Sequence, residues 1–177
     1  MKIQEFNLKR YKLLQDFRDT VWKDLSDTSF DQKFFTKRPT EHQWSIDELL
    51  RHMLSSEIRY IQQSIDDTIE QLPMGVPAQW VGKIFFRLEE REHVTFQELQ
   101  EMYPAVEKKS LDILENLSEE DFIREVKAPW GQMLPYHDLL DVFFAHEHQH
   151  RGQVKFLITF YRGPPEFVPE DENVEYG

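Results

Sequence analysis

The 177-residue sequence contains no cysteine. This absence excludes a disulfide-stabilised fold, a zinc site with thiolate ligands and a cysteine nucleophile within the chain. The sequence also lacks any apolar run close to the ~20 residues that a membrane-spanning helix requires, and its N-terminal segment does not resemble a signal peptide. We therefore expect a cytoplasmic protein with no membrane partner.

Basic residues are fewer than acidic ones. The chain has 21 Lys and Arg residues against 33 Asp and Glu residues, a formal net charge of −12. The negative electrostatic field of such a chain repels the phosphate backbone of nucleic acids, so we expect no nucleic-acid partner. The length fits one domain, which we place at residues 1–163, followed by an acidic tail at 164–177 that packs on or near it.

Three of the seven histidines fall within five residues near the C-terminus, in a segment with helical periodicity. On a helix, His146 and His150 lie four residues apart on one face. That face continues an apolar stripe of Leu139, Phe143, Val154 and Leu157. His148 falls on the opposite side, in line with Asp141, Arg151 and Lys155. Because two buried imidazoles without partners are costly, the pair predicts a divalent metal site.

Periodic apolar residues predict four long helices. The first covers about residues 4 to 25, and a linker of roughly twenty residues follows it. Capping boxes at Ser45-Ile46-Asp47-Glu48 and Thr95-Phe96-Gln97-Glu98 predict the starts of the second and third helices. Pro104 either kinks the third helix or marks its true start. The last helix starts near Pro135 and runs to about Tyr161, where Gly163-Pro164-Pro165 stops it.

The connections are long. Residues 73 to 95 predict a long crossing segment with one short helical piece. Residues 125 to 132 contain alternation, a proline and a glycine, which predicts an extended strap or small hairpin before the last helix. Four amphipathic helices joined in this way indicate an all-α four-helix bundle.

A third imidazole lies on the second helix. His52 sits at the edge of the apolar stripe of that helix, and bundle metal sites are built from inward side chains of facing helices. If the second and fourth helices are neighbours, His52, His146 and His150 form a three-imidazole site. Three neutral ligands leave an open position for water or substrate, as in catalytic sites. Gly152 lies in the last helix, beside His150. A glycine inside a helix lowers its stability by about 1 kcal/mol relative to Ala, so its presence predicts close packing of the helix at this position.

Two distant motifs resemble the DinB/YfiT-like family of metal-dependent enzymes. Trp44-Ser45, Glu48-Leu49-Leu50 and His52 are similar to the family's second-helix pattern, and His146, His150 and Arg151-Gly152-Gln153 are similar to its C-terminal histidine motif. Arg162-Gly163-Pro164-Pro165 resembles the turn after its last helix. The resemblance implies an up-down-down-up four-helix bundle, a homodimer, and one divalent ion per chain, such as zinc or nickel, bound by the three histidines.

The resemblance also suggests a reaction. Some relatives are S-transferases that use low-molecular-weight thiols such as bacillithiol, mycothiol or glutathione, and others are described as hydrolases. We therefore expect a metal-dependent thiol S-transferase that acts on small electrophiles, with a hydrolase as the alternative. A divalent metal can deprotonate a thiol at neutral pH. Arg151 could pair with a carboxylate of the thiol; otherwise it is an exposed residue beside Glu147 or Asp141.

Three other interpretations use the same residues. His146-Glu147-His148-Gln149-His150 satisfies the H-E-x-x-H pattern of zinc proteases, with Glu147 as general base and a third ligand from Glu166 or Glu170. Alternatively, the histidines serve a non-enzymatic metal-binding or dimerisation module. In the third, core hydrogen bonds satisfy them without a metal. Trp130, on the strap before the last helix, could line the metal site; otherwise it is simply packed.

Overall fold

The structure is a computed structural model that describes residues 2–65 and 95–163. Two predicted features lie outside this part of the chain. They are the tail at 164–177, with the alternative ligands Glu166 and Glu170, and nearly all of the connection expected over residues 73 to 95. The proposed division into a domain and a tail therefore remains a prediction.

The described elements follow one another as helices with one small hairpin. In chain order they are α1 (Ile3–Ser26), a 3₁₀ turn (Gln32–Phe34), α2 (Ile46–Glu57), a π-helical turn that continues α2 (Ile58–Gln63), α3 (Phe96–Asn116), α4 (Glu119–Ile123), β1 (Glu125–Lys127), β2 (Met133–Pro135) and α5 (Tyr136–Arg162). The four long helices lie close to the predicted spans. No described helix is long and apolar enough to cross a membrane.

The predicted capping boxes are confirmed. The Ser45 N–H donates to the Glu48 carboxylate at 2.9 Å, and the Glu48 N–H donates to the Ser45 hydroxyl at 3.2 Å. Thr95 and Glu98 make the same reciprocal pair at the start of α3. These bonds satisfy backbone donors that a helix start otherwise leaves free. Pro104 lies inside α3, so the alternative that the helix begins there is wrong.

The predicted strap is an antiparallel hairpin. Strands β1 and β2 pair with Val126 opposite Leu134. The turn closes through the Gly131 N–H, which donates to the Ala128 carbonyl at 2.8 Å. Gly131 has a φ of +93°, a conformation that favours glycine.

Contacts along the helices define the up-down-down-up topology. Asp24, near the end of α1, pairs with Lys155, in the second half of α5. Arg10, in the first half of α1, pairs with Asp141, in the first half of α5. Helices α1 and α5 are therefore parallel. The N–H of Ile3 donates to Glu119, just after α3, so α1 and α3 are antiparallel.

The second helix completes the arrangement. The Tyr103 hydroxyl donates to the Leu50 carbonyl, and the Gln62 amide donates to the Val106 carbonyl, so α2 and α3 are parallel. The Tyr136 hydroxyl, at the start of α5, donates to the Ile61 carbonyl after α2. Helices α2 and α5 are therefore antiparallel neighbours, as a site shared between them requires, and the predicted all-α four-helix bundle is confirmed.

The core consists of two apolar clusters with a polar layer between them. One cluster surrounds Leu25, Leu54 and Leu157, and the other surrounds Leu14 and Phe143. Every long helix carries a charged side chain at the junction of the clusters, namely Arg18 on α1, Glu57 on α2, Glu107 on α3 and Glu147 on α5. The polar layer is therefore a cross-section of the whole bundle.

Gly152 is not a packing contact within the described chain. It is exposed on α5, and a Cβ added there would meet no atom within 4 Å. The predicted close approach is therefore wrong for the described residues, and the glycine leaves an open notch on the outer face of α5.

Candidate metal centre

Three imidazoles converge between α2 and α5. The Nε2 atom of His146 lies 2.8 Å from Nε2 of His52 and 3.1 Å from Nε2 of His150. The candidate ligand atoms of the three residues all lie within 4.8 Å of one another. His52 is buried, and the other two are half-buried. The antiparallel packing of α2 against α5 thus brings together residues that are 94 positions apart in the chain.

The donor set suits a divalent cation. Zinc–imidazole bonds of 2.0–2.1 Å in tetrahedral geometry place two nitrogen ligands about 3.3 Å apart. The two Nε2 separations from His146 are a few tenths of an ångström shorter, and all three candidate ligand atoms lie within 4.8 Å of one another, so ring rotations would accommodate an ion. All three donors are uncharged when deprotonated, and three protein ligands leave a fourth position for another molecule.

Two aromatic residues fix the imidazole rings. Trp44, directly before the N-cap of α2, packs edge-on against His52 at 4.9 Å and stacks on His150 at 6.1 Å. Tyr60, on the π-helical turn, stacks on His146 at 6.0 Å. Ring packing of this kind restricts side-chain rotation and preorganises the ligands.

His150 is oriented by a neighbour on its own helix. Its Nδ1 atom lies 2.7 Å from the Gln153 amide oxygen, so the ring donates from Nδ1 and leaves Nε2 with a free lone pair. Burial and the neighbouring His146 hold the pKa of His150 below its usual value. Protons therefore compete weakly with a metal for this nitrogen near neutral pH.

Behind the imidazoles, a buried ion-pair network joins all four long helices. The Arg18 guanidinium donates to Glu57 at 2.5 Å, to Glu107 at 3.1 Å and to Glu147 at 2.6 Å. The Tyr11 hydroxyl also donates to Glu57. Arg18, Glu57 and Glu147 are almost completely buried. One cation therefore compensates several carboxylates in the polar layer.

Glu147 connects this network to the imidazoles. Burial raises the pKa of its carboxyl, but Arg18 and then His146 lower it more, so the pKa stands below its usual value. Its Oε1 lies 3.9 Å from Nδ1 of His146, too far for a hydrogen bond. Both atoms are buried without a hydrogen-bond partner among the described residues. When Nε2 of His146 serves as a ligand, its proton resides on Nδ1 and faces this carboxylate.

The environment of Glu147 argues against the zinc-protease interpretation. A general base must reach the water at the open metal position. The Glu147 side chain has no solvent exposure and is bound by Arg18 on the α1 side of α5. Glu147 is therefore not placed to act as the general base that this interpretation requires.

Arg151 and His148 face α1 instead of α2. The Arg151 guanidinium lies 3.8 Å above the Phe17 ring, and His148 packs edge-on against the same ring at 5.8 Å. This position agrees with the predicted separation of His148 from the other two histidines. The expected role of Arg151 as a contact for the thiol remains a prediction.

Several residues of the site were absent from the sequence-based prediction. Tyr60 belongs to a π-helical turn that periodicity does not reveal, and Arg18 looks like an ordinary surface residue until its partners on three other helices are known. Trp44 and Gln153 belong to the two sequence motifs, but their contacts with His52 and His150 are known only from the structure. Trp130 lies beyond Tyr60, at 6.1 Å from its ring.

Comparisons with known proteins agree with this fold. The sequence profile of the DinB superfamily matches residues 15–154, which include all three imidazoles. Among solved structures, the chain is similar to a DinB-like protein, YjoA, from Bacillus subtilis, with a TM-score of 0.60 and 19% sequence identity over 89% of this chain and 94% of that one. A search of the curated proteins finds no match. The family profile spans most of the chain, and the protein therefore belongs to the DinB superfamily.

Proposed function

We propose that His52, His146 and His150 bind one divalent metal ion, zinc or nickel, and that the protein is a metal-dependent thiol S-transferase. The single observation that carries the proposal is the convergence of three imidazoles at the α2–α5 interface, whose candidate ligand atoms all lie within 4.8 Å of one another. Preorganised ring packing by Trp44 and Tyr60 supports a functional site, because it holds the donors in place before any ligand arrives.

The surroundings of the site support small-molecule chemistry. A cavity of about 360 Å³ opens beside His150, and its lining includes Trp44, Leu49 and Leu157. Cavities of this size with apolar walls and few polar groups are typical of small-ligand sites. We assign this cavity to the apolar part of the electrophilic acceptor.

The chemistry divides between the ion and the chain. A bound divalent ion supplies the charge that converts a thiol to a thiolate at neutral pH. The chain positions the three imidazoles, the Gln153 amide oxygen accepts from the Nδ1–H of His150, and Trp44 lines the place of the acceptor. The thiolate sulfur forms a bond to the electrophilic carbon, the leaving group departs with its bonding electron pair, and the thiol proton passes to solvent. The absence of cysteine in the chain is consistent with a sulfur supplied by a cosubstrate.

We expect thiol transfer that depends on the metal. The purified protein, loaded with zinc or nickel, should accelerate the reaction of bacillithiol, mycothiol or glutathione with 1-chloro-2,4-dinitrobenzene, measured by absorbance of the conjugate. A chelator should abolish the acceleration and added metal should restore it. His52→Ala should be inactive, because two imidazoles bind the ion too weakly.

A His148→Ala variant is the control, because His148 lies on the same helix and faces α1. It should retain full activity. Absence of metal-dependent turnover with all three thiols would refute the transferase. Release of a hydrolysis product from an ester, with no thiol requirement, would favour the hydrolase instead.

We also propose that two chains pair through the outer face of α5. Exposed apolar side chains follow this face at helical spacing: Val142 is 40% exposed, Phe156 64% and Phe160 57%. Gly152 lies between them and leaves an open notch. Exposed apolar side chains on one face of a helix, with a small residue between them, suit close self-association of two helices.

Two substitutions should separate the chains without unfolding them. Gly152→Leu fills the notch and Phe160→Glu places a charge on the stripe, so light scattering after size exclusion should show a dimer for the unmodified protein and a monomer for both variants. Leu13→Glu is the matched control, since Leu13 is 48% exposed on α1, and it should remain dimeric. A monomeric unmodified protein, or dimeric variants, would refute this interface.

A further inference from the structure

A second cavity lies on the other side of Tyr60 from the apolar one. It has a volume of about 530 Å³ and lies between the end of α2 and the β1–β2 turn. Its lining residues include Arg59, Gln63, Lys127 and Trp130. No carboxylate lines it among the residues that the structure describes. In a chain with a net charge of −12, a cavity whose described lining residues include two cations and no acid is a distinctive local environment.

The cavity adjoins the candidate metal centre through one aromatic ring. Tyr60 is almost fully buried and contacts Trp130 at 6.1 Å on one side and His146 at 6.0 Å on the other. Arg59 precedes Tyr60 on the π-helical turn. Such turns occur often at functional sites, where they change the direction of side chains. Here Arg59 lines the second cavity and the adjacent Tyr60 contacts His146 of the candidate metal centre.

The polar groups of the cavity define the chemistry of its ligand. Arg59 offers a planar guanidinium suited to bidentate binding of a carboxylate. Lys127 adds a second cation, and the Gln63 amide and Ser64 hydroxyl add neutral donors and acceptors. Trp130 is 44% exposed, with its Nε1 bonded to Gln132 at 3.1 Å, so its ring is held at the rim.

We propose that this cavity binds the carboxylate-bearing end of the low-molecular-weight thiol. Such a ligand would extend past Tyr60 and bring its sulfur toward the three imidazoles, while the acceptor occupies the apolar cavity beside His150. The inference rests on the proposed transferase function. It assigns recognition of the thiol to Arg59, on the π-helical turn after α2, and to Lys127, on β1.

A thiol-blocked probe tests binding separately from turnover. S-Methylglutathione keeps two carboxylates but cannot bind a metal through a thiolate. Isothermal titration calorimetry with the full-length protein should detect its binding with the same Kd in zinc-loaded and metal-free samples. Arg59→Gln and Lys127→Gln should each weaken binding about tenfold, because each removes a charge-assisted contact.

Arg124→Gln is the matched control, because Arg124 is an exposed cation beside the hairpin that does not line the cavity. It should bind the probe like the unmodified protein. The diethyl ester of the probe should bind at least about tenfold more weakly, since it lacks the charges that Arg59 and Lys127 recognise. Binding of the probe without catalytic turnover would refute the transferase and leave this site intact. Absence of binding, equal binding by all three variants, or equal binding of the ester would overturn the site.

Discussion

His52→Ala should lower the affinity for zinc by more than about a hundredfold, since loss of an outer-sphere partner alone costs 10- to 100-fold. His52 is the candidate ligand on α2, and its Nε2 lies 2.8 Å from that of His146. Its removal leaves two imidazoles one turn apart on α5. Such a pair has no third ligand from the protein and holds an ion weakly. Elemental analysis after dialysis, followed by competition with a chromophoric chelator, measures the change.

His148→Ala is the control for this measurement too, because it removes an imidazole from α5 on the side facing Phe17. Its metal content and affinity should equal those of the unmodified protein. Circular dichroism of both variants establishes that they are folded. If the His52 variant retains the affinity of the His148 variant, the three-imidazole site is refuted.

Arg18→Met should destabilise the protein by about 3–5 kcal/mol, the cost of leaving buried charges without their partner. Arg18 compensates Glu57, Glu107 and Glu147, and Glu57 and Glu147 have no exposed side-chain surface. Urea-induced unfolding followed by circular dichroism measures the change in the free energy of unfolding.

Arg10→Met is the matched control, because it makes the same substitution on the same helix. Arg10 pairs with Asp141 on α5, but 62% of the Asp141 side chain is exposed. Pairs of this kind contribute about 0–1 kcal/mol. Comparable losses of unfolding free energy in the two variants would show that the buried network contributes no more to stability than an exposed ion pair. Adding Glu57→Gln and Glu147→Gln to Arg18→Met should recover much of the loss.

The pH dependence of the stability that Glu147 contributes should change sign when Arg18 is removed. In the unmodified protein the pKa of Glu147 is below its usual value, so its contribution is present at neutral pH and is lost as the pH falls through the native pKa. Without Arg18 the buried carboxylates bind protons more tightly in the native state than in the unfolded state. The Arg18→Met variant should therefore become more stable as the pH is lowered from neutral towards the usual carboxylate range.

Local sequence signals predicted the frame of the bundle. The capping boxes at Ser45 and Thr95 depend on residues three positions apart, and His146 and His150 depend on residues four positions apart. Because these relations are contained within one helix, they can be read directly from the sequence. His52 needed a further assumption, that α2 and α5 are neighbours, and the packing of the two helices confirms it.

Relations between distant residues could not be predicted in the same way. Glu147 is adjacent to His146 and matches a protease pattern, but its role depends on Arg18, 129 positions away. The cavity beside Tyr60 depends on a π-helical turn after α2 and on a hairpin before α5. Periodicity does not show where a turn widens or which loop lies beside it.

The position of Arg18 has a consequence for how the protein opens. Its guanidinium ties α1, α2, α3 and α5 together at one level of the bundle, and the three imidazoles join α2 to α5 at nearly the same level. Any fluctuation that parts α2 from α5 must break both sets of contacts at once. Amide protons along the α2–α5 interface should therefore exchange with deuterium only through the largest openings of the molecule. If the proposed metal ion binds the three imidazoles, its removal should speed this exchange more than that of amides at the bundle ends.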